Sequence, residues 1–323
     1  MPAGCRAPIS PGWRPGPSRR NSATRMTALL PRAGCFLLGV LVNQLWTVPP
    51  RLVHWLNAWV LRIALPALIL ELLPRLAFGR ELWFLVAAMW IVFAGGWFVA
   101  AIAGARLGWS RQRTGAIALV AGFGNTAFTG YPLIEALRGA DALPFAIVAD
   151  QLGCFIALAT GGVILASWYG GDRARPARIV ARILCFPPFL ACIAGLAAGH
   201  FGGWPAGVGG ALHPIAATLS PLALLSIGLQ LRLRIGAAEW HAIGIGLGWK
   251  LAAAPALVYA IGLAAGAQGL ALVVGVLQAA MGPMVSAAIL ADEHRLDATV
   301  ANAMLAVGVV LSLATVPAID ALL

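Results

Sequence analysis

The run Gly122-Phe123-Gly124-Asn125-Thr126-Ala127-Phe128-Thr129-Gly130-Tyr131-Pro132 interrupts an apolar stretch with three short polar side chains, Asn125, Thr126 and Thr129. Their amide and hydroxyl groups can satisfy backbone freed from a helical ladder or bind a carboxylate directly. A second interruption, Gln278-Ala279-Ala280-Met281-Gly282-Pro283-Met284, brings Gln278, Gly282 and Pro283, with Ser286 just beyond. Glycine and proline in mid-membrane release backbone groups that hydrocarbon cannot solvate, so each break must face protein or a polar cavity. Two breaks brought together gather half-helix ends, whose free N–H groups and positive dipole ends favour an anion. Taken singly, either break reads equally well as a kink in a packed helix, with Ser and Thr bonding back to the preceding turn. The matched pair is what argues for a binding site built from Asn125, Thr126, Thr129, Pro132, Gln278, Gly282, Pro283 and Ser286.

Two ionisable residues, Asp150 and Lys250, fall close to mid-span of apolar stretches. A charge at the centre of a spanning helix costs about 3 kcal/mol on insertion scales, so such residues tend to be functional. Flanking the crossing, they are expected to pair and so to offset much of each other's desolvation. Lys250 then supplies positive charge near a substrate, and Asp150 orients it or takes up a proton; a purely structural ion pair is the competing reading. Arg62 and Glu71 do not share a helix face, and Glu135 sits just past the first break. The five histidines are scattered near helix ends, a spacing that does not support a metal site, and the five cysteines show no CxxC. Gly122–Gly130 lacks the Lys-Ser/Thr ending and the preceding strand of a phosphate loop.

The elements that carry these residues follow from composition. Of 323 residues, 61% are hydrophobic and 10% charged, against about 25% charged in a soluble domain. A net charge of +11 in a soluble chain would suggest nucleic acid, but 21 of the 22 cations are arginines set mostly between apolar stretches, which is a membrane-loop pattern and excludes a nucleic-acid partner. Punctuation by Arg, Gly and Pro divides the chain into ten stretches able to span a bilayer: 28–46, 55–74, 82–105, 114–136, 143–168, 181–200, 211–231, 240–262, 268–291 and 298–319. Alternate loops hold Arg51; Arg106, Arg111, Arg113; Arg173, Arg175, Arg178, Arg182; Arg232, Arg234; and Arg295, eleven in all, against Arg75, Arg80 and Arg138 opposite. That bias predicts a multi-pass protein of the cell (inner) membrane with both termini outside the cytoplasm. Residues 1–26 read as a disordered basic tail or a mis-assigned start, and no apolar core of a signal peptide precedes Thr27.

Mid-span prolines recur five helices apart, at Pro66 in helix two and Pro221 in helix seven, as do the breaks in helices four and nine. The expected fold is therefore all-α: about ten transmembrane helices in two inverted five-helix repeats, 27–170 and 171–323, with broken helices four and nine crossing.

The run Gly124–Pro132 closely resembles the helix-four signature of the auxin efflux carrier family of permeases, in which an Asn-Thr pair is followed by an aromatic, a glycine and a proline. Leu65-Pro66-Ala67, Lys250-Leu251 with Pro255, and Ala279–Leu290 followed by Asp297 are similar to that family's helix two, helix eight, and helix nine with its exit loop, so the resemblance covers residue 27 to the end. The second break has one proline where many relatives have two. The resemblance implies helices one, two, six and seven as a scaffold around a moving core, organic-anion substrates and a homodimer held by scaffold helices. The expected function is a secondary transporter of a small mono- or dicarboxylate by alternating access, with a proton or sodium as coupling ion, no cofactor and no enzymatic activity. An anion channel would need a continuous polar lining, which so few intramembrane polar residues do not supply. A membrane-embedded lipid-modifying enzyme would need clustered carboxylates or histidines at a membrane face. Asp292, Glu293 and Asp297 cluster with His294 and Arg295 but read as solvated turn residues.

Overall fold

The computed structural model describes residues 22–76, 79, 81–172, 174–205, 207–231 and 239–323, with side chains from residue 30 onward. Residues 1–21 of the basic tail, and Arg80, Arg173, Arg232 and Arg234 of the loop count, lie outside the described residues. Among the described residues the chain is helical, without a named strand. In order the elements are α1 (Ser22–Leu45), α2 (Pro50–Arg75), α3 (Glu81–Leu107), α4 (Arg111–Gly122), α5 (Gly130–Arg138), α6 (Ala140–Gly170), α7 (Pro176–Leu184), α8 (Pro187–His200), α9 (Val208–Gln230), α10 (Trp240–Ala264), α11 (Gly269–Ala280), α12 (Val285–Glu293) and α13 (Ala298–Leu322). Six of them, α2, α3, α6, α9, α10 and α13, are long and apolar enough to cross a membrane, and the bent pair α7–α8 makes a seventh candidate.

Local chemistry explains several boundaries. Pro50 opens α2, where its missing N–H costs nothing. Ser110 caps α4 by accepting from Arg113 N, and Asp297 caps α13 by accepting from Val300 N, both at 3.2 Å. Inside α2 and α10, prolines 66 and 255 withhold the donor that the carbonyl four residues back expects. In both helices the ladder widens to a π turn just upstream, Val60–Ala64 and Trp249–Ala253, closed by Leu65 N–H to Val60 O and by Ala254 N–H to Trp249 O.

One stretch differs from the sequence expectation. Residues 181–200 are not one continuous span: Pro187 and Pro188 start a new helix, and α7 and α8 meet at 60°. Consequently Arg175, Arg178 and Arg182, read as loop cations, lie on or at the start of α7.

The polarity is that of a protein in lipid. Large apolar side chains face outward, Trp55 and Trp83 being 72% and 76% exposed, whereas Asn125, Thr126, Asp150, Gln151, Lys250 and Gln278 are all 2% exposed or less. α1 lies on α9, and α2 packs against α8 and α9. The α1–α9 contact is close because neither side has a Cβ: one on Gly39 would meet Leu225 O and, at 3.0 Å, Gly228 Cα. The other elements, α3 to α6 and α10 to α13, pack around the two interruptions.

Candidate functional site

The two breaks meet. α4 stops at Gly122 and α5 begins at Gly130, while α11 stops at Ala280 and α12 begins at Val285. Between them, Gly124 and Pro283 form an isolated antiparallel bridge. Asn125 N–H donates to Gly282 O at 2.7 Å and Met284 N–H donates to Phe123 O at 3.0 Å. The backbone groups freed by glycine and proline are thus satisfied by the opposite break rather than by lipid. Four half-helix ends converge here: the C-termini of α4 and α11 and the N-termini of α5 and α12.

Lys250 and Asp150 each sit in a π turn beside this crossing, Lys250 within Trp249–Ala253 and Asp150 within Ala149–Phe155. The expected ion pair between them is not formed. Lys250 Nζ donates to Ala279 O at 2.7 Å, placing its charge on the carbonyl end of α11. A Cβ on Gly124 would come within 2.9 Å of the same ammonium. Asp150 instead accepts from Thr126 Oγ1, from Tyr131 Oη at 2.6 Å and from Gln151 Nε2 at 2.6 Å. The cause is placement: Thr126 and Tyr131 lie on the α5 side of the first break and supply hydroxyl donors to the carboxylate, whereas Ala279 holds the ammonium at the end of α11.

The remaining sequence candidates divide. Gln278 Nε2 bridges Thr126 O at 3.3 Å and Ala146 O at 3.2 Å, tying α11 to the first break and to α6. Thr129 Oγ1 is spent on Asn125 O at 2.7 Å, as a kink residue would be. Pro132 is buried in the first turn of α5, and Ser286 is half-buried near the start of α12. Asn125 Oδ1 accepts from Phe128 N at 3.2 Å, but its Nδ2 has no partner, nor do Gln278 Oε1 and Gln151 Oε1. A buried unpaired polar group costs about 1–3 kcal/mol, so one donor and two acceptors are left for a polar guest.

Tyr131 and Gln151 were not singled out by sequence reasoning, although both adjoin residues that were: Tyr131 ends the first break, and Gln151 follows Asp150. Tyr131 is also the link to open space. It lines a cavity of about 620 Å³ shared with Arg32, Glu71, Arg75, Glu135 and His213, among others from α1, α2, α5, α6 and α9. Within it Arg32 pairs with Glu135 at 2.7 Å, and His213 Nδ1 lies 2.9 Å from Glu71 Oε1. Arg75 has no carboxylate partner among the described residues. The cavity wall and the Asp150 carboxylate are therefore one hydroxyl apart. Tyr131→Phe keeps the ring and deletes that hydroxyl, and is expected to lower stability by about 1–2 kcal/mol, seen as a lower melting temperature in detergent. An unchanged melt would mean that Tyr131 does not hold Asp150.

Comparison with known proteins returns one family profile, described as membrane transport protein, matching residues 26–319. An "Uncharacterized transporter" of Methanothermobacter thermautotrophicus is 28% identical over 284 residues, which cover 87% of this chain and 92% of that protein. A "Putative malonate transporter" of Rhizobium meliloti is 29% identical over 306 residues, 89% of this chain and 92% of that protein.

Proposed function

The chain belongs to the membrane transport protein family, that of the auxin efflux carriers, and from that premise we propose that it is a secondary carrier of a small mono- or dicarboxylate working by alternating access. The observation that carries the reading is the hydrogen-bonded crossing of two broken helices with a buried ammonium beside it. The α5 and α12 N-termini point positive dipole ends at the crossing. Of the two opposing C-termini, that of α11 is neutralised by Lys250. These positive ends and the Lys250 ammonium favour an anion, the opposing Asp150 carboxylate is held by three donors of its own, and Asn125 Nδ2 is a free donor for the anion's carboxylate. The relative named "Putative malonate transporter" supports a dicarboxylate in particular.

In this reading the chain makes ten spans, counting α1, α8 and each of the pairs α4–α5 and α11–α12 once, as inverted repeats 27–170 and 171–323. The antiparallel pairing of Gly124 with Pro283 supports that inversion. α1, α2, α8 and α9 form a scaffold, through which two copies pair, and the remaining helices move against it. The cavity beside Tyr131 is the approach to the crossing, and Asp150 is where a coupling proton or sodium acts. Both termini lie outside the cytoplasm of a cell membrane.

The test is saturable uptake of labelled malonate, malate and indole acetate into proteoliposomes carrying wild type or Asn125→Ala. Loss of the Asn125 Nδ2 donor is expected to cut uptake about tenfold, the worth of one hydrogen bond to a charged group, with the gel-filtration profile unchanged. Uptake of none of the three acids by wild type, or wild-type uptake by Asn125→Ala, would overturn the assignment.

A further inference from the structure

The helix between α6 and α8 serves neither the crossing nor the cavity. α7, Pro176–Leu184, has no buried residue and meets α8 at 60°. Its sequence divides by face: Arg178 and Arg182, four apart, lie together, with Arg175 at the cap, and Ile179, Val180, Ile183 and Leu184 take the other side. Val180 and Leu184 are 53% and 54% exposed, while Ile179 and Ile183 are half-buried where α7 packs against the Leu158–Gly162 stretch of α6. Arg175, Arg178 and Arg182 make no ion pair among the described residues, and Asp172, the nearest acid in sequence, does not engage them.

An arginine face without acids, backed by an exposed aliphatic face and set at an angle to the neighbouring span, matches a helix lying in a membrane interface. Guanidinium groups meet phosphate oxygens in a two-pronged geometry that lysines do not reproduce. We propose that α7 docks on a bilayer surface containing anionic phospholipid, with Arg175, Arg178 and Arg182 on headgroup phosphates and Val180 and Leu184 in the acyl boundary. The loop-arginine count puts α7 on the cytoplasmic side, where acidic lipids give the surface its negative potential.

Cys185 directly follows α7 and is exposed, whereas Cys154 and Cys192 are buried, so a Cys5→Ser/Cys35→Ser background leaves one accessible thiol for a polarity-sensitive fluorophore. The labelled full chain is reconstituted in phosphatidylcholine vesicles with and without phosphatidylglycerol. The expected result is a blue-shifted emission, quenched by brominated acyl chains, that strengthens with phosphatidylglycerol and weakens with salt. Each arginine removed should lower the docked-to-undocked ratio roughly fivefold. Arg175→Gln/Arg178→Gln/Arg182→Gln should therefore give the same emission in both lipids, whereas Arg175→Lys/Arg178→Lys/Arg182→Lys, which keeps the charge, should retain part of the response. A solvent-exposed probe in both lipids overturns the proposal. So does a phosphatidylglycerol response that survives in the Gln triple variant, or a burial that follows protein-to-lipid ratio rather than lipid charge, which would mean contact between copies.

Discussion

Lys250→Met is expected to cut saturable anion uptake by one to two orders of magnitude while the melting temperature holds or rises. Lys250 is fully buried, and its ammonium makes one hydrogen bond, to Ala279 O. An ammonium that attracts a bound carboxylate contributes about 1.5–3 kcal/mol when the two are hydrogen-bonded, and each 1.36 kcal/mol is a factor of about ten in rate or affinity. Methionine keeps an unbranched stem of similar length, so the buried stem beside Gly124 and the π turn survive. Stability should move the other way, because a buried charge with no acidic partner has been taken out of water without Coulombic repayment, and removing it removes that cost. The split between the two readouts separates the roles. A lysine that merely caps α11 would lose melting temperature on substitution and leave uptake near wild type. Labelled malonate in proteoliposomes and a thermal melt in detergent measure both, and wild-type uptake by Lys250→Met would refute a charge role at the crossing.

The breaks were legible in the sequence because glycine and proline act locally: a missing N–H or Cβ disrupts the ladder wherever it falls, so the interruptions expected within Gly122–Pro132 and Gln278–Met284 fall at 123–129 and 281–284. That the two breaks meet rested on the five-helix spacing, and the Gly124–Pro283 bridge joins them. The partners of Asp150 and Lys250 were not legible. Both fall at mid-span, but which groups they reach depends on helix rotation, and π turns of five to seven residues around each shift that rotation in a way an ideal helix does not predict. The cavity was invisible for a similar reason, since Arg32, Glu71, Tyr131 and His213 come from four helices spread over the chain. α7 was hidden by its own composition: arginines counted for orientation were read as loop, although Arg178 and Arg182 at i and i+4 over an aliphatic face carried the helical period. The Pro187-Pro188 pair that separates α7 from α8 was in plain sight and was read through as part of one span.

Gly308→Ala, and reciprocally Gly282→Ala, should disable the protein more thoroughly than any change to a polar group, because at these positions the backbone of α13 touches the second break directly. A Cβ on Gly308 would collide with Pro283 Cδ and stand 2.7 Å from both Pro283 Cγ and Leu247 Cδ2. One on Gly282 would stand 2.7 Å from Gly308 O and from Ser312 Oγ and 3.0 Å from Val309 Cα. Neither a proline ring nor a helix backbone can rotate aside, so the break itself must shift, and the bonds Asn125 N–H to Gly282 O and Met284 N–H to Phe123 O shift with it. Overpacking a rigid contact costs about 1–3 kcal/mol, and each backbone hydrogen bond lost in an apolar interior adds about 1 kcal/mol or more. Expected are a melting temperature lower by several degrees and no measurable uptake. Gly244 and Gly248 serve as controls: they are exposed in helical α10 with nothing within 4 Å of an added Cβ. Alanine there should be neutral or stabilising by up to about 1 kcal/mol, since it only restricts the unfolded chain and favours helix. Pro283→Ala deletes the ring atoms that the Gly308 methyl would meet, so Pro283→Ala/Gly308→Ala should be more stable than the sum of the two single losses predicts. If Gly308→Ala melts and transports like wild type, α13 does not brace the crossing; if the double variant is merely additive, the collision with the proline ring is not what the methyl costs.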